Sequence, residues 1–152
     1  MPDLRVIIPE EHFHIIEFIQ DGMPGVGAIN YALKAFQPKE VFSWHLSIMV
    51  ELEDLIDNGM PSLREHEAID AFEWLLDSNI KGPDAKKPNA VFFARITWNK
   101  TGELIWRVYD PEVANAYMTK IIEEDVHSRP FDYRLDHDEE WKLAEWALRA
   151  LK

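Results

Sequence analysis

The chain reads as an α+β protein on three observations. Residues 42–53 alternate strictly, with Phe42, Trp44, Leu46, Ile48, Val50 and Leu52 set between Ser43, His45, Ser47, Met49, Glu51 and Glu53. A period of two over that length is a long strand with one apolar and one mostly polar face. Ser62-Leu63-Arg64-Glu65 is a capping box, and it opens a segment with Ile69, Phe72, Leu75, Leu76 and Ile80 at helical spacing. Two apolar runs, 91–98 and 104–110, flank the turn-forming Asn99-Lys100-Thr101-Gly102.

The remaining elements follow in order. Residues 13–20 are a partly alternating apolar run and are expected as a strand. In 26–36, Ile29, Ala32, Leu33 and Phe36 fall at helical spacing before Pro38, which predicts a helix. Asp21-Gly22-Met23-Pro24 and Asn58-Gly59-Met60-Pro61 stand 37 residues apart. Asp or Asn with Gly tolerates positive φ, and Pro fixes φ for a first helical turn. Both copies are therefore expected as strand–turn–helix punctuation. Residues 81–89, with Gly82, Pro83, Pro88 and three lysines, are expected as a mobile basic loop.

Gly102 suits the left-handed position of a three-residue hairpin with a bulge. That turn pairs Trp98 with Leu104, Ile96 with Trp106 and Ala94 with Val108. It places Phe92, Ala94, Ile96, Trp98, Leu104, Trp106 and Val108 on one face. Asp110-Pro111-Glu112 opens a helix that runs through Val113, Ala116, Tyr117, Ile121 and Ile122. Residues 131–135 are expected as a strand and 138–151 as an amphipathic helix.

From residue 41 the order is strand, helix, strand, strand, helix, strand, helix. The first six elements are a split βαβ repeated, the ferredoxin-like pattern. The expectation is one domain over residues 1–152: a strand–helix extension over 1–40, a ferredoxin-like βαββαβ core over 41–135 and a terminal helix over 136–152. The sheet is expected to be antiparallel, with helices on one face and a second face partly open.

Composition narrows the function classes. At 47% hydrophobic, with six Trp, eight Phe and four Tyr, the chain can bury a real core. No apolar run approaches the roughly 20 residues that span a bilayer, and the start shows no basic-then-apolar secretory pattern. The absence of cysteine excludes disulfides and thiolate chemistry and fits a cytoplasmic location. The net charge is −12; residues 1–76 carry −10 of it. A field of that sign repels phosphate backbones, disfavours nucleic acid and attracts a basic protein partner.

Few residues nominate themselves for chemistry. His12 and His14 share a strand face but lack further metal donors. Glu65-His66-Glu67 with Asp70 resembles part of a zinc helix, and first-turn acids favoured by the helix dipole explain it better. In Asp136-His137-Asp138, Asp138 reads as a cap. Gly22, Gly25 and Gly27 do not follow a phosphate-binding order. The open sheet face is the richest candidate. It is expected to carry His45, Ser47, Met49, Glu51, Phe93, Arg95, Thr97, Ile105, Arg107 and Tyr109. His45, Glu51, Arg95, Arg107 and Tyr109 are its candidate ligand or partner contacts; no catalytic set, metal or cofactor is expected.

The chain resembles family 695 of the domains of unknown function. The resemblance rests on Asn58-Gly59-Met60-Pro61-Ser62 with Glu65 and Glu67, and on the hairpin from Ile96-Thr97 to Tyr109 with Asn99 and Gly102. It rests also on Phe131-Asp132-Tyr133 followed by Asp138-Glu139-Glu140-Trp141. It covers roughly residues 41–146. It departs from the family's pattern at Trp106-Arg107-Val108-Tyr109, where the family has a shorter aromatic pair, and in the longer helix after the terminal Trp. The resemblance implies a ferredoxin-like αβ fold and brings no activity or catalytic residue. It also implies a fold-level analogy to the regulator of ribonuclease E activity B, an acidic protein inhibitor.

The leading expectation is a non-enzymatic protein-binding factor of inhibitor or immunity type. One alternative is a small-ligand binder or enzyme on the open face, with Arg95 and Arg107 as anion anchors and His45 or Glu51 as acid–base. Another is a homodimeric assembly unit with a self-complementary sheet edge or face.

Overall fold

The computed structural model describes residues 7–84, 86–124 and 129–150. It is an α+β protein built on one antiparallel sheet of six strands. The strands are β1 (Phe13–Gln20), β2 (Met23–Asn30), β3 (Trp44–Glu51), β4 (Ala90–Trp98), β5 (Thr101–Val108) and β6 (Phe131–His137). The helices are α1 (Leu63–Ile80), α2 (Pro111–Glu124) and the short α3 (Glu145–Ala150). The order across the sheet is β1-β2-β4-β5-β3-β6.

The two Gly-Met-Pro copies diverge. In the second, Asn58 and Gly59 take φ of 63° and 73°, and Ser62 caps α1 by accepting from the Glu65 N–H at 3.1 Å. In the first, Asp21 and Gly22 take φ of 52° and 75° and turn β1 directly back into β2. The helix expected over 26–36 is therefore replaced by a strand and a 3-10 turn, Tyr31–Leu33. Ile29 and Leu33 are buried nonetheless, because a strand end followed by a tight turn delivers the same residues to the core. Pro24 is tolerated in β2 because the β2–β4 ladder starts only at Gly25.

The β4–β5 hairpin also departs from expectation. Asn99 and Lys100 both take positive φ, 41° and 69°, and form a two-residue turn that pairs Trp98 with Thr101. Gly102 is an ordinary strand residue opposite Thr97. The register then shifts at Phe92/Ala94, where Phe93 is an extra residue. A bulge reverses the side-chain alternation beyond it. Phe92, Leu104, Trp106 and Val108 stay on one face, while Ala94 and Ile96 cross to the other.

Two cores result. On the helix face, Leu46, Ile48, Val50, Phe92, Leu104 and Trp106 pack against Ile69, Phe72, Leu76 and Ile80 of α1 and Ala114, Met118 and Ile121 of α2. The α2 stripe is rotated from the expected one, leaving Val113 and Ile122 exposed. On the second face, Ile29, Leu33, Phe36, Phe42, Phe93, Ile105, Trp141, Ala144 and Ala147 form a separate core. The segment expected as a helix over 138–151 is a left-handed Trp141, a 3-10 turn (Lys142–Ala144) and α3; residue 151 lies outside the described residues. This segment and the 3-10 turns after β2 cover part of the second face.

Candidate functional site

The bulge at Phe93 decides where the expected site residues go. Arg107 lies before the shift and points to the second face, opposite His45. Arg95 lies beyond it, pairs with Leu104 and points to the helix face. There Arg95 forms ion pairs with Asp70 and, at 3.6 Å, with Glu73, both on α1. Burial pushes the Glu73 carboxyl upward, and the Arg95 charge opposes that shift. Thr97 lies on the helix face with Arg95 rather than on the open face. The two guanidinium groups therefore do not converge, which corrects the shared face expected for them.

Arg107 is fully buried. Its Nε donates to the Phe42 carbonyl at 3.2 Å, and Nη1 donates to Asp138 Oδ2 at 3.0 Å. Nη1 also lies 3.0 Å from His45 Nδ1, and Nη2 donates to the Asp138 carbonyl. The Trp141 ring covers the guanidinium, and the indole N–H is held by the carbonyls of Lys39 and Phe42. Arginine has only donors, so His45 Nδ1 accepts and the imidazole is neutral. Burial first, and the Arg107 charge second, lower its pKa to about 4. Asp138 also accepts from the N–H groups of Lys142 and Leu143, so its expected capping role is seen. Burial works against the ionised carboxyl, but those bonds and Arg107 hold its pKa below the ordinary value. The cluster fastens the C-terminal segment to the sheet.

Glu51 is exposed at the end of β3, and Tyr109 is 51% exposed just past β5. Neither joins the Arg107 cluster. His14 stacks on Tyr31 at 4.4 Å, with His12 edge-on to both. Among the described residues no group of His, Asp or Glu is placed to hold a metal.

Glu65 is not a solvated first-turn acid. It is fully buried, accepts from Arg129 through both carboxylate oxygens and accepts from the Glu53 N–H at 2.8 Å. The Arg129 bond, acting against burial and aided by the Glu53 and Asp54 backbone, lowers its pKa to about 2. A Glu at the third helical position gave no sign of this, because its partner lies 64 residues away.

The uncovered part of the second face is a groove of about 940 Å³. Ile16 and Phe18 of β1, Met49 of β3, Ile96 and Trp98 of β4 and Trp146 of α3 supply its apolar walls. The Trp98 indole N–H is tied to the carbonyls of Gln20 and Met23 at 3.1 and 3.3 Å, which holds that wall in place. One carboxylate, Glu103, projects onto this face and accepts from the Ser47 hydroxyl, while Glu17 borders the groove from β1 with its side chain on the other face of the strand. No Lys or Arg among the described residues lines it. A second cleft, about 470 Å³, lies under the 81–84 loop. Its Lys81 is paired with Asp77 and Glu11. Sequence reasoning missed the groove because the Phe93 bulge brings Ile96 and Trp98 onto this face.

No helix among the described residues is long and apolar enough to cross a membrane. No curated protein and no solved structure matches the chain. One family model, described as "Family of unknown function (DUF695)", matches residues 18–145, from β1 to the start of α3. That match spans most of the chain, and the protein therefore belongs to the DUF695 family of unknown function.

Proposed function

We propose that the protein is a cytoplasmic binding protein that seats a basic, apolar segment of a protein partner in the second-face groove, as an inhibitor or immunity-type factor would. The observation that carries this reading is an apolar groove with the Glu103 carboxylate on its floor and, among the described residues, no lining Lys or Arg, in a chain of net charge −12. Apolar walls supply affinity, and the negative field favours a cationic partner and speeds its approach. His45, nominated as an acid–base group, and Arg107, nominated as an anion anchor, are engaged in fastening the C-terminal segment. That favours binding over catalysis. The same reading takes the core as ferredoxin-like. The order β4-β5-β3-β6, with α1 and α2 on one face, supports that assignment.

The test uses two synthetic peptides of equal length and leucine content, one alternating Leu with Lys and the other Leu with Glu. Binding is followed by the anisotropy of a labelled peptide. The Lys peptide should bind, weaken with added salt, and weaken at least tenfold in Trp146→Ala and Met49→Lys. Both side chains are solvent-exposed, so these substitutions leave the fold intact. Equal affinity for both peptides, or binding indifferent to these variants, would sink the proposal.

A further inference from the structure

We infer that the protein assembles as a twofold dimer, in which β1 pairs antiparallel with the β1 of a second copy about Ile16. Among the described residues β1 pairs with β2 alone, over an unbroken register of eight residues. Its sequence, FHIIEFIQ, has no Pro, no Lys and no bulge, and of the devices that blunt a free edge it carries one, the charge of Glu17. Ile15 and Ile19 are 66% and 79% exposed on the helix side of the hairpin. Such an edge is suited to adding another strand.

The backbone fixes which groups are free. The Tyr31 N–H donates to the His12 carbonyl at 2.6 Å, and the Asp21-Gly22 turn closes on Gln20 and Met23. Even-numbered residues of β1 thus bond to β2. Phe13, Ile15, Glu17 and Ile19 direct their N–H and C=O groups outward. A twofold axis perpendicular to the sheet keeps each face continuous, so opposed residues must share a face. Two central registers satisfy this with the outward groups. One sets Glu17 against Glu17 of the second copy, and like charges directly opposite are destabilising. The other puts Ile16 on the axis, Ile15 opposite Glu17, and Phe13 opposite Ile19.

The Ile16-centred register suits a second copy of this chain for two reasons. Glu17 is the one carboxylate in the strand and stands opposite Ile15, so within the paired strands no carboxylate opposes another, although both copies carry a net charge of −12. It also places Phe13, which already leans on Phe92 at 5.8 Å, over the exposed Ile19 of the second copy. The inference does not depend on the groove reading.

Sedimentation velocity and light scattering over a concentration series test it. Wild type should reach twice the 17.8 kDa chain mass at tens of micromolar. Glu17→Pro removes an outward N–H, together with the exposed carboxylate, without touching the β1–β2 ladder, and should weaken the dimer at least tenfold with an unchanged circular dichroism spectrum. Ile15→Glu faces Glu17 of the second copy and should dissociate the dimer, whereas Ile15→Lys should keep it. The Ile15 pair alters an exposed side chain, so it tests the pairing even if Glu17→Pro misfolds. A wild type that stays monomeric throughout overturns the inference, as does a dimer indifferent to Glu17→Pro and Ile15→Glu. Dissociation by Ile15→Lys overturns the Ile16-centred register.

Discussion

The Arg107 guanidinium carbon lies 4.6 Å from the centroid of the Trp141 ring, and both groups are buried. Arg107 stands in a central strand, and Trp141 begins the C-terminal turn. Their stack, completed by Asp138, closes the second core over the sheet.

Removing either member should therefore cost stability. Arg107→Ala leaves Asp138 buried without its cation, a loss of about 3–5 kcal/mol. Arg107→Lys should rescue little, because one ammonium cannot reproduce a fork that bonds Phe42, His45 and Asp138 together. Trp141→Ala should cost a similar ~3–5 kcal/mol through lost packing. Urea denaturation checks all three. A shift under ~1 kcal/mol for Arg107→Ala would contradict the buried-pair account.

His45 makes the fold sensitive to mild acid. Its folded pKa, about 4, lies below the ordinary 6.5, so the fold favours the neutral ring. That contribution is fully present above pH 6.5 and is lost as pH falls toward 4. It amounts to roughly 3 kcal/mol at most. His45→Asn keeps an acceptor for Arg107 but cannot titrate. The urea midpoint should fall between pH 6.5 and 4.5 in wild type, and by less in His45→Asn. Parallel curves for the two would remove His45 from the account.

Glu65 acts in a lower window. Its folded pKa of about 2 lies below the ordinary 4.5, so its contribution is present above pH 4.5 and is lost as pH falls through 2. Glu65→Ala should cost about 2–3 kcal/mol at pH 7, since Arg129 and the Glu53 N–H both lose a charged acceptor. Glu65→Gln should fall between. Its neutral amide still offers one oxygen, but its NH₂ faces the Arg129 donors. A thermal melting series at pH 7 ranks the three proteins, and equal melting points would refute the role.

Much of the architecture was legible in the chain. The strand at 44–51, the capped helix at 63–80 and the Asp110-capped α2 follow from local periodicity and cap chemistry. What failed has physical reasons. The spacing of Ile29, Ala32, Leu33 and Phe36 imitates a helix, yet Gly25 and Gly27 weaken a helix there and serve a strand instead. In Val91-Phe92-Phe93-Ala94 every side chain is buried, so no polar residue marks the bulge. A strand apolar on both faces is the one signal that two cores existed. Once that register moved, Arg95 left the candidate site and Trp98 entered the groove. Glu65 and Arg129 meet only through tertiary contact, which periodicity does not report.

The strand reading of residues 23–30 can be tested at Gly25. A Cβ there would lie 2.2 Å from the Phe18 ring, and one at Gly27 would lie 3.0 Å from Ile16 and Ile96. Both glycines are therefore spaces into which β1 side chains fold across the hairpin. Gly25→Ala should destabilise by about 1–3 kcal/mol, the range for overpacking. In a helix the same change would stabilise, since Ala is the better helix former by about 1 kcal/mol. Phe18→Leu in the same chain removes the ring that clashes, so the double variant should recover part of the loss. That coupling separates a steric clash from a general intolerance of the site. Chemical denaturation of the two single variants and the double variant decides it. Additive losses would mean that Phe18 does not lie over Gly25, and the groove wall that Phe18 provides would have to be redrawn with it.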